Sequence, residues 1–302
     1  MPQRLVRSIG SRLRVLPDLS PRQVYHRLRY RLSGRERLST FDEEHPCIFA
    51  LSTGRTGTKT LAALLGLSGN LFAYHEPRPK LFALSRLAYL YGDSSPADEI
   101  LTAAFATARQ ELLEYALSCG RGYAETSPHL TFLAPAILRL LPNARFIHLT
   151  RHPVAVVRSG VRRRWYAGHH RDPTRITPRP GTEDADRWAT YSVVQKNLWL
   201  WDATNRWILE FLSTLPPEQA LCLKAEEIFA GDYETLKRLY AFAGAPMPSM
   251  RRVRSILRKR LNAQKKSAPP FSEADQADLR ANLARFTAET ASRLGYSLAQ
   301  DG

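Results

Sequence analysis

The chain has 302 residues, 44% of them hydrophobic and 24% charged, with a net charge of +16 at neutral pH. These values are typical of a soluble globular protein with a sizeable core. No apolar stretch approaches the roughly 20 residues that span a bilayer, and the basic N-terminus lacks the apolar core and cleavage site of a secretory signal. The three cysteines, Cys47, Cys119 and Cys222, are far apart, which predicts reduced core thiols and a cytoplasmic location.

The first segment, residues 1–45, is rich in arginine and contains no alanine. Ser20 and Pro21 are a favourable helix start for residues 24–32. We therefore predict a basic helical arm over residues 1–45, followed by one main domain over residues 46–302. A second basic cluster runs from Arg251 to Lys266. Both clusters are compatible with an anionic glycan acceptor, a peripheral contact with an anionic membrane, nucleic acid, or a merely solvated basic face.

Short apolar runs that predict buried strands alternate with helical patterns along the rest of the chain. The five predicted strands are Cys47–Leu51, Leu71–Tyr74, Gly122–Ala124, Phe146–Leu149 and Ala220–Leu223. This alternation predicts an α/β fold with a central, mostly parallel five-stranded sheet and helices on both faces.

Long helices are predicted over residues 97–117 and 187–212, and the C-terminal third is predicted to be helical. Ser272 and Asp275 form a capping box for a last helix that ends at Leu294. The aromatic residues of the second long helix are predicted to lie in the core. They are Trp188, Tyr191, Trp199, Trp201 and Trp207. Residues 168–186 are rich in Pro, Gly and charge and are predicted to form a lid or an acceptor loop.

A loop rich in glycine and hydroxyl groups follows the first predicted strand. Its residues are Gly54, Arg55, Thr56, Gly57, Thr58, Lys59 and Thr60, and Leu61 continues as a helix. A helix N-terminus after such a loop binds phosphate-like anions. A Walker loop aligned on Lys59 and Thr60 would need glycines where the chain has Thr53 and Thr58, so the pattern does not indicate an ordinary ATP site.

The segment from Gly54 to Leu61 resembles the 5′-phosphosulfate loop of sulfotransferases that use 3′-phosphoadenosine 5′-phosphosulfate (PAPS), which reads roughly G-[RK]-[ST]-G-T-x-x-L. A second segment resembles the 3′-phosphate motif of the same family, because Arg151 ends a predicted strand and Ser159 follows eight positions later. Pro153 suits the first turn of the helix between them. The resemblance covers about residues 45–297.

This resemblance implies a P-loop-like fold and transfer of a sulfuryl group from PAPS to an acceptor hydroxyl or amine. The cosubstrate leaves as adenosine 3′,5′-bisphosphate, no metal is required, and the acceptor is expected to be a carbohydrate or glycoconjugate. By the same resemblance, Arg55 and Lys59 stabilise the leaving charge, and Thr56, Thr58 and Thr60 contact phosphate oxygens. Lys265 and Lys266 match the basic C-terminal loop that closes over the 3′-phosphate.

The acceptor hydroxyl needs a general base, and Glu76, directly after the second predicted strand, is the first candidate. Carbohydrate sulfotransferases often carry a similar Glu-Pro pair there. A carboxylate against an apolar wall is expected to have a raised pKa, as a base requires. His129 and His75 are the alternative bases, and pairing of Glu76 with Arg78 or Lys80 is the structural alternative.

Two other functions remain open from the sequence. A nucleotide kinase or other P-loop NTPase would share the strand, loop and helix, although it would need a lysine directly after glycine. A basic protein that binds nucleic acid or a membrane surface through a degenerate nucleotide fold is the second, and nucleic acid is the less expected partner.

Overall fold

Five parallel strands form a sheet in the order β2-β3-β1-β4-β5. The strands are β1 (Cys47–Leu51), β2 (Leu71–Tyr74), β3 (Gly122–Glu125), β4 (Arg145–Thr150) and β5 (Ala220–Lys224). Every neighbouring pair runs parallel, with Phe49 of β1 opposite Phe146 of β4 and Glu125 of β3. The predicted fold class is confirmed, and the strand bounds agree to within one residue.

The computed structural model describes residues 41, 44–92, 95–259 and 270–298. Its helices on the N-terminal side are α1 (Thr58–Leu65), α2 (Phe82–Tyr91), α3 (Ser95–Ser118), α4 (Ala134–Leu140) and α5 (Pro153–Val161). They are followed by α6 (Glu183–Arg187), α7 (Val193–Ser213), α8 (Ala225–Ala230), α9 (Tyr233–Phe242), α10 (Met250–Leu257) and α11 (Glu273–Arg293). Short 3-10 helices cover Pro128–Leu133, Asp172–Thr174 and Pro217–Gln219.

The alternation of side chains along the strands divides the core into two layers. Cys47, Phe49 and Leu51 face the layer that contains α3 and α7, whereas Ile48 and Ala50 face the layer that contains α1 and α9. All five residues are at most 1% exposed. Both faces are therefore covered by helices, which leaves the ends of the strands as the place where side chains can meet a ligand.

Two predictions about the helical region and the cysteines need correction. The helix predicted over residues 187–212 begins only at Val193, because Ser192 caps α7 with a capping box and the chain turns between α6, which ends at Arg187, and α7. Trp199 and Trp201 are buried as predicted. Cys47 is buried, but Cys222 is exposed, because β5 is the edge strand of the sheet. The predicted arm over residues 1–45 lies almost entirely outside the described residues.

The segment after α11 returns to the carboxyl ends of β4 and β5. Lys224 Nζ donates a hydrogen bond to the carbonyl of Gly295 at 2.7 Å, and the hydroxyl of Tyr296 donates to Glu226 at 3.0 Å. The ring of His152 lies edge-on to that of Tyr296, and its Nε2 is 3.1 Å from the carbonyl oxygen of Ser297. The last described residues therefore support the turn that follows Arg151.

Candidate active site

The loop after β1 contains three residues with left-handed backbone conformation. Gly54, Arg55 and Gly57 have φ values of 80°, 61° and 90°. Gly57 caps α1, which begins at Thr58, so the loop delivers the unpaired N–H groups of a helix N-terminus. A Cβ atom at Gly57 would lie 2.5 Å from Cζ of Phe229, so glycine is needed there for space as well as conformation. The predicted anion cradle has the expected backbone geometry.

The two phosphate motifs meet at Arg55. Its Nε donates a hydrogen bond to Ser159 Oγ at 2.9 Å, and Arg151 Nη1 donates to the Arg55 carbonyl oxygen at 3.0 Å. Burial, followed by the nearby positive charges of Arg163 and Arg151, lowers the pKa of Arg55 to about 10. Arg55 stays protonated at neutral pH, and the clustered guanidinium groups form a site for an anion.

Two polar atoms near this cluster have no protein partner. The hydroxyl of Thr56 and Nε of Arg163 are buried and form no hydrogen bond with any described residue. Buried polar groups are normally paired, so such atoms indicate a ligand that completes them. Thr58 and Thr60 are buried beside Thr56, whereas Lys59 is exposed at the second position of α1 and lines the cavity. Lys265 and Lys266 lie outside the described residues.

Glu76 follows β2 at the same sheet edge, and its surroundings differ from the expectation. Lys80 Nζ pairs with Glu76 Oε2 at 3.0 Å, and His75 Nε2 is 3.9 Å from Oε1. Burial raises the pKa of the carboxyl, but the Lys80 hydrogen bond and the charges of His75 and Lys80 outweigh it, so the pKa is lowered overall. The predicted raised pKa is wrong, because the alternative pairing with Lys80 is present in the structure and stabilises the carboxylate.

A buried polar network holds Glu76 in place. Glu76 has φ 48°, and its N–H donates to Ser127 Oγ at 3.0 Å. Ser127 Oγ donates to Glu125 Oε1 at 2.7 Å, and Glu125 is paired with Arg109 Nε at 2.7 Å. Arg109 Nη1 also donates to the carbonyl of Pro79 at 2.9 Å. The network therefore contacts both ends of the segment that carries Glu76.

His129 and His75 lie close to Glu76. Both ring nitrogens of His129 are buried and form no hydrogen bond with a described residue, and its ring centre is 4.5 Å from that of Phe82. Burial lowers the pKa of His129 to about 4, so the imidazole is neutral at pH 7. His75 Nδ1 lies 2.9 Å from the Thr126 carbonyl oxygen, and burial lowers its pKa as well. A neutral imidazole can accept a proton.

One cavity of about 370 Å³ is lined by Arg55, Lys59 and the candidate bases His75, Glu76 and His129. One side, the sheet wall, consists of the residues after β1, β2 and β3, including Arg55, Glu76 and His129. The other side, the loop wall, consists of residues 163–176, which follow α5. Of the predicted acceptor loop over residues 168–186, the first part lines the cavity, whereas residues 183–187 form α6. The structure thus brings part of the predicted donor loop and the three candidate bases to one cavity, together with part of the predicted acceptor loop. Arg151 and Ser159 do not line this cavity and are joined to it through their hydrogen bonds with Arg55.

The loop wall is organised around Asp172. Its carboxylate accepts hydrogen bonds from the N–H groups of Tyr166, Gly168 and His169, and from Arg175 Nε at 2.9 Å. The guanidinium carbon of Arg175 lies 4.0 Å from the ring centre of Trp165. A Cβ atom at Gly54 would lie 3.5 Å from Cη2 of Trp165, so this ring also contacts the loop after β1.

Sequence reasoning missed Trp165 and Phe229. Phe229 is 42% exposed, touches Gly57 and lies 5.7 Å from the guanidinium carbon of Arg151. The sequence carries no motif at Phe229, and only the topology shows that α8 follows β5 to the ligand edge. Within the described ranges, no helix is long and apolar enough to cross a membrane. The same ranges contain no group of three or more His, Cys, Asp or Glu side chains suited to a metal ion.

Comparison with known proteins agrees with this geometry. A family model described as "Sulfotransferase family" matches residues 46–249. The sulfotransferase domain from the curacin biosynthetic pathway is 17% identical, with a TM-score of 0.52 over 84% of this chain and 99% of that domain. The sulfotransferase domain from the Synechococcus PCC 7002 olefin synthase is 16% identical, with a TM-score of 0.51 over 88% and 100%. At these identities the structures show similarity of fold. No curated protein matches the sequence significantly.

Proposed function

The chain belongs to the sulfotransferase family, and we propose that it uses PAPS to sulfate a hydroxyl or amine, most naturally on a carbohydrate or glycoconjugate. The observation that carries the choice of donor is the junction of Arg55, Arg151 and Ser159, where two phosphate motifs separated by 104 residues in sequence share hydrogen bonds. A donor with one phosphate on the 3′ and one on the 5′ position of its ribose matches two adjacent anion sites, the loop after β1 and the pair Arg151 and Ser159. The family match and the missing Gly-Lys pair both favour sulfuryl transfer over a nucleotide kinase.

The chain's residues fit this donor. Arg151 and Ser159 are assigned to the 3′-phosphate, and Thr56, with its unpaired hydroxyl, to the 5′ side together with the N-terminus of α1. When bound, PAPS supplies a sulfuryl group on an anhydride whose cleavage leaves adenosine 3′,5′-bisphosphate. Arg55 and Lys59 stabilise the negative charge that develops on the leaving side, mainly by preorganised electrostatics.

We assign the adenine contact to Phe229. The family's loop tryptophan is replaced here by Thr60, and Phe229 offers an exposed ring beside Gly57 and Arg151. Stacking of a base on an aromatic ring contributes about 1–3 kcal/mol. We therefore expect Phe229→Ala to weaken the binding of adenosine 3′,5′-bisphosphate and of AMP by similar factors, since both carry adenine.

Calorimetric titration of these two nucleotides tests the donor. The wild-type protein should bind adenosine 3′,5′-bisphosphate at least about tenfold more tightly than AMP, because charge-assisted hydrogen bonds to the 3′-phosphate contribute about 1.5–3 kcal/mol. Arg151→Ala should abolish this preference. Arg158→Ala is the matched control, because Arg158 lies on α5, the helix that follows Arg151, is exposed and bonds to Gln276. Equal binding of both nucleotides by the wild type would refute PAPS as the donor.

Glu76 remains our first candidate for the base, supported by its place in the cavity beside the donor loop. Its lowered pKa keeps it ionised and able to accept a proton at neutral pH. Glu76→Gln should reduce turnover of labelled PAPS about 10²- to 10⁴-fold while donor affinity is retained. Near-normal turnover in Glu76→Gln would transfer the role to His129 or His75, which His129→Gln and His75→Gln then separate.

A further inference from the structure

The cavity carries more positive charge than the donor site uses. Four arginines besides Arg55 line the cavity: Arg86 of α2, and Arg163, Arg171 and Arg175 of the loop wall. Among the described residues that line the cavity, the only carboxylate is Glu76, and Lys80 already pairs with it at 3.0 Å. Asp172 pairs with Arg175 but does not line the cavity.

Two of these arginines form a group separate from the donor site. The positive charges that act on Arg55 come from Arg163 and Arg151, whereas the positive charge that acts on Arg175 comes from Arg171. Trp165 is near both groups, because its ring stacks with Arg175 and its Cη2 would lie 3.5 Å from a Cβ atom added at Gly54. A donor bound at Arg55 and Arg151 therefore leaves Arg171 without an anion, and leaves Arg175 with Asp172 alone, whose Oδ1 lies 2.9 Å from its Nε.

Both of these guanidinium groups are held on aromatic rings. Arg171 lies 4.4 Å above the ring centre of Phe82, and Arg175 lies 4.0 Å from that of Trp165. Arg171 has no carboxylate partner among the described residues. A stacked guanidinium keeps its N–H edge available, and that edge matches an oxyanion geometrically. Two neighbouring cations in a partly enclosed site repel each other until an anion binds.

We propose that the acceptor carries an oxyanion, a carboxylate or a phosphate or sulfate ester, that Arg171 and Arg175 bind beside Phe82 and Trp165. This inference rests on the proposed function, because it concerns the second substrate of the same site. An acidic sugar with an apolar or aromatic substituent has both an oxyanion for the two arginines and an apolar group for the rings of Phe82 and Trp165. The anion is bound at the loop wall, and the acceptor's hydroxyl reaches toward Glu76 and the donor.

A matched set of glycosides tests this proposal on the full chain saturated with adenosine 3′,5′-bisphosphate. The probes are 4-nitrophenyl β-glucuronide, 4-nitrophenyl β-glucoside 6-phosphate and the uncharged 4-nitrophenyl β-glucoside, with affinities measured by calorimetry. We expect at least one charged glycoside to bind about 10- to 100-fold more tightly than the glucoside. The preferred probe identifies the anion as a carboxylate or a phosphate ester.

Arg171→Gln should reduce that preference to less than about threefold, and Arg187→Gln should leave it unchanged, because Arg187 pairs with Glu183 away from the cavity. Raising NaCl from about 50 to about 500 mM should weaken the charged probe only. Equal affinities for all three glycosides, no binding of either charged probe, or a preference that survives Arg171→Gln would each overturn the proposal. The nucleotide titration is independent of these outcomes, so failure of the donor assignment remains distinguishable.

Discussion

The two walls of the cavity are each held by an arginine–carboxylate pair, and the pairs differ in burial. Arg109 and Glu125 behind the sheet wall have side chains that are 0% exposed, whereas Arg175 and Asp172 of the loop wall are 15% and 19% exposed. The first pair joins α3 to β3 and fixes the segment around Glu76. The second lies within one irregular segment. The sheet wall is therefore the rigid part of the site, and the loop wall is the part that can differ without altering the fold.

The largest effect on the free energy of unfolding is expected from Arg109→Met. This change leaves the Glu125 carboxylate buried without its partner, and the loss of one member of a buried pair costs about 3–5 kcal/mol. Denaturant unfolding should show that decrease in the free energy of unfolding. Arg139→Met is the control, because Arg139 pairs with Asp98 at the surface and such pairs contribute at most about 1 kcal/mol. A similar decrease in the free energy of unfolding in both variants would mean that the Arg109–Glu125 pair holds the sheet wall no better than a surface pair would.

Stability should also fall between pH 6.5 and about pH 4, because two histidines on the sheet side resist protonation. Burial lowers the pKa of His129 and of His148 to about 4, against 6.5 for an ordinary histidine. Over this range the unfolded chain binds more protons than the folded chain, so each histidine reduces stability by up to about 1.4 kcal/mol per pH unit. Urea unfolding at several pH values should give a shallower dependence in His148→Gln. If the free energy of unfolding depended on pH as steeply in His148→Gln as in the wild type, His148 would not be a buried neutral histidine in the folded protein.

Gly57→Ala tests whether glycine is needed in the donor loop only for its positive φ angle or also because a side chain would collide with Phe229. Alanine at φ 90° is strained, which costs about 1–2 kcal/mol, and its Cβ would also collide with Phe229. Gly69→Ala measures the strain alone, because Gly69 has φ 82° and no atom within 4 Å of an added Cβ. We expect Gly57→Ala to be the more destabilising, with the difference removed when Phe229→Ala is added. If the difference persists, Phe229 is not the cause.

The smallest effect is expected at the loop wall, in Asp172→Asn. Asparagine weakens the bonds to Arg175 and to the N–H groups of residues 166–169, so the global stability should change by about 1 kcal/mol or less. Acceptor KM should rise while the affinity for adenosine 3′,5′-bisphosphate stays constant. Asp98→Asn is the control for loss of an arginine pair elsewhere. A change in nucleotide affinity of the same size as that in acceptor KM would indicate that the walls are coupled.

The same difference explains which parts of the site could be predicted from the sequence. The strands, the loop from Gly54 to Thr60 and the pair Arg151 and Ser159 could be predicted because each depends on neighbours in sequence and on the parallel order of strands. The pairing of Lys80 with Glu76 could be named only as an alternative, since the choice of partner depends on how a loop turns back. Trp165 and Arg171 reach the cavity through an irregular segment with no periodic pattern, and the family resemblance provided no motif there.

The contacts made by residues 295–297 at the turn after Arg151 have a consequence for the order in which the protein becomes functional during synthesis. The loop from Gly54 to Thr60 leaves the ribosome more than two hundred residues before Tyr296, and β5, the last strand, emerges well before α11. The turn at His152 gains its partners at Tyr296 and Ser297 only after α11 has emerged. A nascent chain can therefore complete its sheet, and form the contacts of Trp201 and Glu226 with Arg151 and His152, while the contacts from residues 296 and 297 are still missing. Donor binding should then reach its full strength late in biosynthesis.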